Sequence, residues 1–156
     1  MSLQHRIARS HLETLIEELT GIHKAEPDRD DDYFISTQSS GFYARVEGNE
    51  PATFRLFSVV VADVEASAGL FEAVNEINTR LNFLRAMYVD EQVLIEGDLL
   101  AMTASSHDFL EVCRRIAHAS DHFGPDLLTR FGGRPLFEQS KGHDYESVTP
   151  QMPGYL

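Results

Sequence analysis

The chain has 156 residues, with Asp and Glu at 25 against Lys and Arg at 13, a formal net charge of -12 at pH 7. That balance disfavours nucleic acid and anionic membrane surfaces as main partners, because both need clustered cations. A hydrophobic content of 42% excludes a disordered chain, and the length suits one domain with a short tail.

At the N-terminus, Leu12, Leu15, Ile16 and Leu19 form an apolar stripe that predicts a helix over 3–19, with Gly21 as its stop. His5, Arg6 and Arg9 precede no apolar run, so no signal peptide is expected. No window in the chain approaches the roughly 20 apolar residues of a membrane span. Asp28, Asp30, Asp31 and Asp32 then form an acidic loop. The run lacks the glycine and glutamate that an EF-hand spacing demands, so it reads as solvated rather than as a calcium site.

Strands are predicted at 33–37, 42–46 and 54–61, separated by the turn chemistry of Gln38-Ser39-Ser40-Gly41 and Gly48-Asn49-Glu50-Pro51. Pairing about Ser39-Ser40 puts Ile35 on the face of Phe42, Ala44 and Val46. The next hairpin is expected to continue that face with Phe57, Val59 and Val61, making it the helix-covered side. The opposite side then carries Phe34, Tyr43, Arg45, Phe54, Leu56 and Val60, too apolar for a face washed only by water. A helix or the tail covers it, or a partner does; the sequence leaves both open.

The clearest stretch runs from Ser67 to Leu100. Leu70, Val74, Ile77 and Leu81 share one helical face. A hairpin follows, 83–89 and 92–100 about Asp90-Glu91, placing Tyr88 opposite Val93, Ala86 opposite Ile95 and Leu84 opposite Gly97 as a floor for that helix. The other face pairs Arg85 with Glu96 and Met87 with Leu94.

A last helix is expected from Ser106, read as the N-cap with Asp108 in the first turn. Its buried stripe is Phe109, Val112, Cys113, Ile116, Ser120, Phe123 and Leu127, with a kink or restart at Gly124-Pro125 and a closing turn to Phe131. His107, Glu111, Arg114, His118 and His122 fall on the opposite, solvated face. His118 and His122 have a spacing that can hold a metal, but there is no HExxH and a third ligand would have to come from elsewhere. Cys113, the single cysteine, points to the core, excludes an intramolecular disulfide framework and suits a reducing cytoplasm. From Gly132 the chain loses periodicity, so a domain at 1–133 and an irregular tail at 134–156 are expected, with Leu136-Phe137 and Tyr155-Leu156 as its apolar pieces. The serines at 39–40 and 105–106 have no G-x-S-x-G context, and Gly132-Gly133 alone makes no phosphate loop. Neither catalysis nor a cofactor is expected.

The order helix, three strands, helix, two strands, helix resembles the secretion-chaperone-like α+β fold, an antiparallel sheet of about five strands with three helices. Leu70–Gly133 carries the likeness: F-E-A-V-N-E-I-N-T-R-L-N-F at Phe71–Phe83, A-M-Y-V-D at Ala86–Asp90 and V-L-I-E-G-D-L-L at Val93–Leu100. Asn75 and Asn78 with Glu96, Asp98 and Leu99 match the pattern of the type III secretion chaperone and YbjN-like (TY-Chap) superfamily. The resemblance implies a small, acidic, bacterial protein, often dimeric, that binds polypeptide segments or regulates other proteins without cofactor or catalysis. The expected function is capture of a protein or peptide client on exposed apolar surface by a cytoplasmic homodimer, with Phe34, Tyr43, Phe54, Leu56, Met87 and Leu94 as contact residues. The alternative is a regulatory domain sensing a small ligand or metal.

Overall fold

The computed structural model describes residues 1–36 and 41–136. Its elements are α1 (Leu3–Thr20), β1 (Tyr33–Ser36), β2 (Gly41–Glu47), β3 (Thr53–Val61), α2 (Ala68–Arg80), β4 (Arg85–Val89), β5 (Gln92–Leu100) and α3 (Ser106–Phe131). The strands form one antiparallel α+β sheet in the order β1-β2-β3-β5-β4. All three helices pack on one face of it, and their apolar stripes divide the interior into two clusters. In the first, Ala8, Leu12, Leu15 and Ile16 of α1 meet Ile35, Phe42, Ala44, Phe54, Leu56 and the first half of α3. In the second, Leu70, Val74 and Ile77 of α2 meet Ala86, Val93, Ile95 and the second half of α3. The length of α3 is what joins them, since one continuous helix reaches both clusters.

The helix ends follow capping chemistry. Ser2 accepts from the His5 N–H and Ser67 from the Leu70 N–H, while Gly21 closes α1 at φ 71°. The N-cap of α3 is Ser105, one residue before the expected Ser106, in a reciprocal box with Asp108. The Ser105 hydroxyl bond holds the Asp108 carboxyl below its ordinary pKa. Ser106 instead bonds Glu18 at 2.6 Å and ties the start of α3 to α1. Pro125 lies inside α3 without ending it. The expected restart therefore does not occur, the buried Gly124 letting the helix run close over Val60. Cys113 is fully buried, and burial pushes its thiol pKa well up.

The β4–β5 hairpin has the expected register over Arg85–Val89, Arg85 with Glu96, Ala86 with Ile95, Met87 with Leu94 and Tyr88 with Val93. However, β4 begins two residues later than the expected Phe83, so Leu84 meets Gly97 by its side chain and not as a ladder pair. Asp90 and Glu91 both take positive φ, 48° and 59°, the turn that matches strand twist in a two-residue loop. A Cβ on Gly97 would lie 2.7 Å from Leu84 Cδ2, so glycine is what lets Leu84 pack across the hairpin. The β1–β2 register places Ile35 opposite Phe42, two residues from the expected pairing, which keeps the faces unchanged. The turn residues read at Ser39-Ser40 lie outside the described residues.

The β2–β3 hairpin requires a correction. Its pairs are Val46 with Phe54 and Ala44 with Leu56, so Phe54 and Leu56 lie on the helix-covered face, both fully buried. Phe57 and Val59 face the other way. The cause is a five-residue connection over 48–52: buried Ala52 stays out of the β2 ladder, its carbonyl accepting from the Ala101 N–H at 3.0 Å. One residue more than the four-residue turn inverts every side chain of the following strand. A bulge between Val59 and Val61 then returns Val61 to the covered side, opposite Val93.

After α3 the chain turns back to the sheet. Gly133 takes φ 81°, and a Cβ there would stand 2.5 Å from the Ala62 carbonyl oxygen. Arg134 exchanges two backbone hydrogen bonds with Ala62, each 2.8 Å, and its guanidinium pairs with Asp63. The rest of the expected tail, 137–156, including Phe137, Tyr155 and Leu156, lies outside the described residues.

Candidate functional site: the open face of the sheet

Because the helices share one side, the other face of the sheet has no helix over it among the described residues. One row across it runs Phe34, Tyr43, Phe57, Glu96 and Arg85, each opposite the next. Its first half is aromatic. The Phe34 and Tyr43 ring centroids are 5.3 Å apart, and Tyr43 stacks on Phe57 at 5.3 Å with 20° between planes. The Arg45 guanidinium lies 4.8 Å from the Phe57 centroid, a cation over the ring face. Val59, Leu94 and Met87 form the adjacent row. Phe34 is 47% exposed, and Tyr43, Phe57, Leu94 and Met87 are half-buried.

The second half is charged. Glu96 is buried between Arg85, which donates to it, and Arg55, whose Nε lies 3.8 Å away. Arg55 also reaches Asp98 and Glu47, each at 2.9 Å, and the Asp98 bond raises its pKa. At the opposite rim the Arg45 Nη2 donates to Asp32 Oδ2 at 2.7 Å. Burial raises the Asp32 pKa, opposed by the charge of Arg45, and burial likewise raises that of Tyr43, helped by Asp28 and Asp32. Asp28 Oδ1 accepts the N–H groups of Asp30 and Asp32 at 2.8 and 3.0 Å, a self-capped turn. The face thus offers an aromatic and aliphatic strip with a fixed ionic frame. Among the described residues it contains no nucleophile–base pair.

Of the expected contact residues, Phe34, Tyr43, Met87 and Leu94 stand together on this face, whereas Phe54 and Leu56 belong to the core beneath α1 and α3. Their places are taken by Phe57 and Val59, which alternation would have found with the correct loop length. His118 and His122 lie exposed on α3 with stacked rings 6.2 Å apart. No group of three or more His, Cys, Asp or Glu able to hold a metal occurs among the described residues. No helix there is long and apolar enough to cross a membrane.

The element order and the five-stranded antiparallel sheet are those of the secretion-chaperone-like α+β fold. The model of the TY-Chap1 family, described as T3SS (YopN, CesT) and YbjN peptide-binding chaperone 1, matches residues 7–139, and the chain belongs to that family. Among solved structures it is similar to the ExsC-ExsE complex at 16% identity, covering 80% of this chain and 96% of that one, TM-score 0.60. It is also similar to the Yersinia pestis type III secretion chaperone SycH in complex with a stable fragment of YscM2, at 15% identity, 74% and 98% coverage and TM-score 0.55. The HopA1-SchA chaperone-effector complex gives 6% identity, 76% and 97% coverage and TM-score 0.57. At these identities the likeness is one of fold. Among curated proteins none matches the sequence.

Proposed function

We propose that this protein is a non-enzymatic chaperone or regulatory module that holds an extended or amphipathic client segment against the open face of its sheet. The observation that supports this reading is the contiguous strip of Phe34, Tyr43 and Phe57, continued by Val59, Leu94 and Met87, on a face that carries no helix among the described residues, in a member of a peptide-binding chaperone family. Aromatic rings supply large contact area at low entropic cost, and methionine adapts to varied partners. The ionic frame of Arg45, Arg55, Glu96 and Asp98 would orient the client's polar groups. That the similar structures are complexes with other proteins supports a polypeptide client. The same reading includes a cytoplasmic homodimer without cofactor; light scattering of the full chain should give about twice 17.6 kDa.

The test is an array of terminally blocked amphipathic peptides, probed with the wild-type chain and with the double variant Tyr43→Ser, Phe57→Ser. Wild-type binding that the variant loses, with unchanged circular dichroism, is the expected result. Equal binding by both proteins removes the open face from the function.

A further inference from the structure

A second site lies on the helical side, between the C-terminal end of α2 and the middle of α3. A concavity of about 270 Å³ there is lined by Arg80, Asn82, Arg115, His118, His122 and the ring of Phe123, among others, and no carboxylate contributes to its wall among the described residues. That is unexpected in a chain whose acidic groups outnumber its basic ones 25 to 13.

Arg9, Arg45, Arg55, Arg85, Arg130 and Arg134 each meet an Asp or Glu. Arg80, like the exposed Arg6 and Arg29, meets none among the described residues, and it lines the concavity. Its Nη2 instead lies 3.1 Å from His122 Nε2, and its guanidinium carbon sits 5.0 Å from the Phe123 centroid. Arg115 is anchored through Nε to Glu111 at 2.9 Å and lies over the ring of Phe83 at 5.6 Å. The Arg80 guanidinium is therefore positioned by rings, and that of Arg115 by Glu111 on one side and the ring of Phe83 on the other. The stacked imidazoles of His118 and His122 add further N–H donors at the same wall. Glu76 and Asp126 line a smaller depression beyond Arg80, where Asp126 pairs with Arg130 at 3.2 Å.

We propose that this concavity is an oxyanion site, accepting a carboxylate or phosphate group, with Arg80 as its principal ligand and Arg115, His118, His122 and Asn82 as supporting donors. The guanidinium fork fits two oxygens of such a group, a stronger contact than the one it now makes to a neutral ring nitrogen. Phe83, 86% exposed at φ 62°, stands beside the site under Arg115 and supplies an apolar contact next to the charge. An acidic residue followed by an apolar one, in a bound polypeptide, fits both features. The site lies on the opposite side of the sheet from the aromatic strip, so it stands or falls independently of that strip.

The test follows the His118 and His122 ring resonances of the full chain at fixed pH and ionic strength. The titrants are inorganic phosphate, the peptide acetyl-Ala-Glu-Phe-Ala-amide and its Gln counterpart. Saturable shifts are expected, weakened about tenfold or more in Arg80→Gln, the loss of one charge-assisted contact. Arg115→Gln, with a smaller weakening, carries the test if Arg80→Gln does not fold. Saturation by phosphate alone assigns the site to a free oxyanion; saturation by the Glu peptide but not the Gln peptide assigns it to a polypeptide carboxylate. Shifts that never saturate with either probe, or affinities unchanged in the variants, overturn the proposal.

Discussion

The two faces of this sheet are drawn from alternate residues of the same strands, yet they are held by different physics. The covered face is a closed jigsaw: Phe42, Phe54, Leu56 and Ile95 are fully buried against three helices, so each atom there is worth transfer energy and packing together. The open face keeps Phe34, Tyr43, Phe57, Leu94 and Met87 in reach of solvent and fixes them by ring stacking and by a ladder of arginine–carboxylate pairs. Packing density makes a face stable, whereas lateral anchoring keeps a face available. A chain that binds others needs both within one strand width.

That contrast can be broken at its strongest point. Phe54→Ala should cost about 3–5 kcal/mol, the range for emptying a buried aromatic site, read as a large fall in the urea midpoint. A loss under about 1 kcal/mol would mean the covered face is not the core. Gly97→Ala, pressed against Leu84 and Val112, should cost about 1–3 kcal/mol by overpacking, measured the same way. On the open face, Phe57→Ala should change stability by only about 1 kcal/mol, the worth of a stacked pair, while abolishing peptide binding on the array. The smallest effect is a titration. Tyr33, under α1, donates to Glu13 at 2.6 Å and accepts from Arg9 at 3.1 Å. Burial first, then the Glu13 bond, raises its phenol from 10.0 to about 12. A raised acid binds its proton more tightly folded than unfolded, so this contribution to stability is full below pH 10 and declines as pH rises toward about 12. Phenolate absorbance during alkaline titration should show a late step near pH 12 that is lost in Tyr33→Phe, while the raised Tyr43 remains.

The hairpins show how far the sequence could be read. The β4–β5 pairing was legible because two residues, Asp90 and Glu91, close the loop, and so short a loop fixes parity. The β2–β3 pairing was not, because Ala52 has the composition of a strand residue and the position of a loop residue. That single residue moved Phe54 and Leu56 inward and Phe57 and Val59 outward. The bulge at the end of β3 then cancelled the slip for Val61, a compensation no alternation pattern announces. Helical phase correctly put His118 and His122 on the outer face of α3. The wall they form with Arg80 was invisible, since it depends on how α2 docks against α3.

The depth at which Cys113 sits has a practical use. With its thiolate suppressed by burial and no second cysteine in the chain, the wild-type protein is close to silent toward thiol reagents at neutral pH. A cysteine introduced at Met87 would be the one reactive handle, so a spin label or fluorophore placed there would report occupancy of the aromatic strip from a single address, without first removing a native residue from the core.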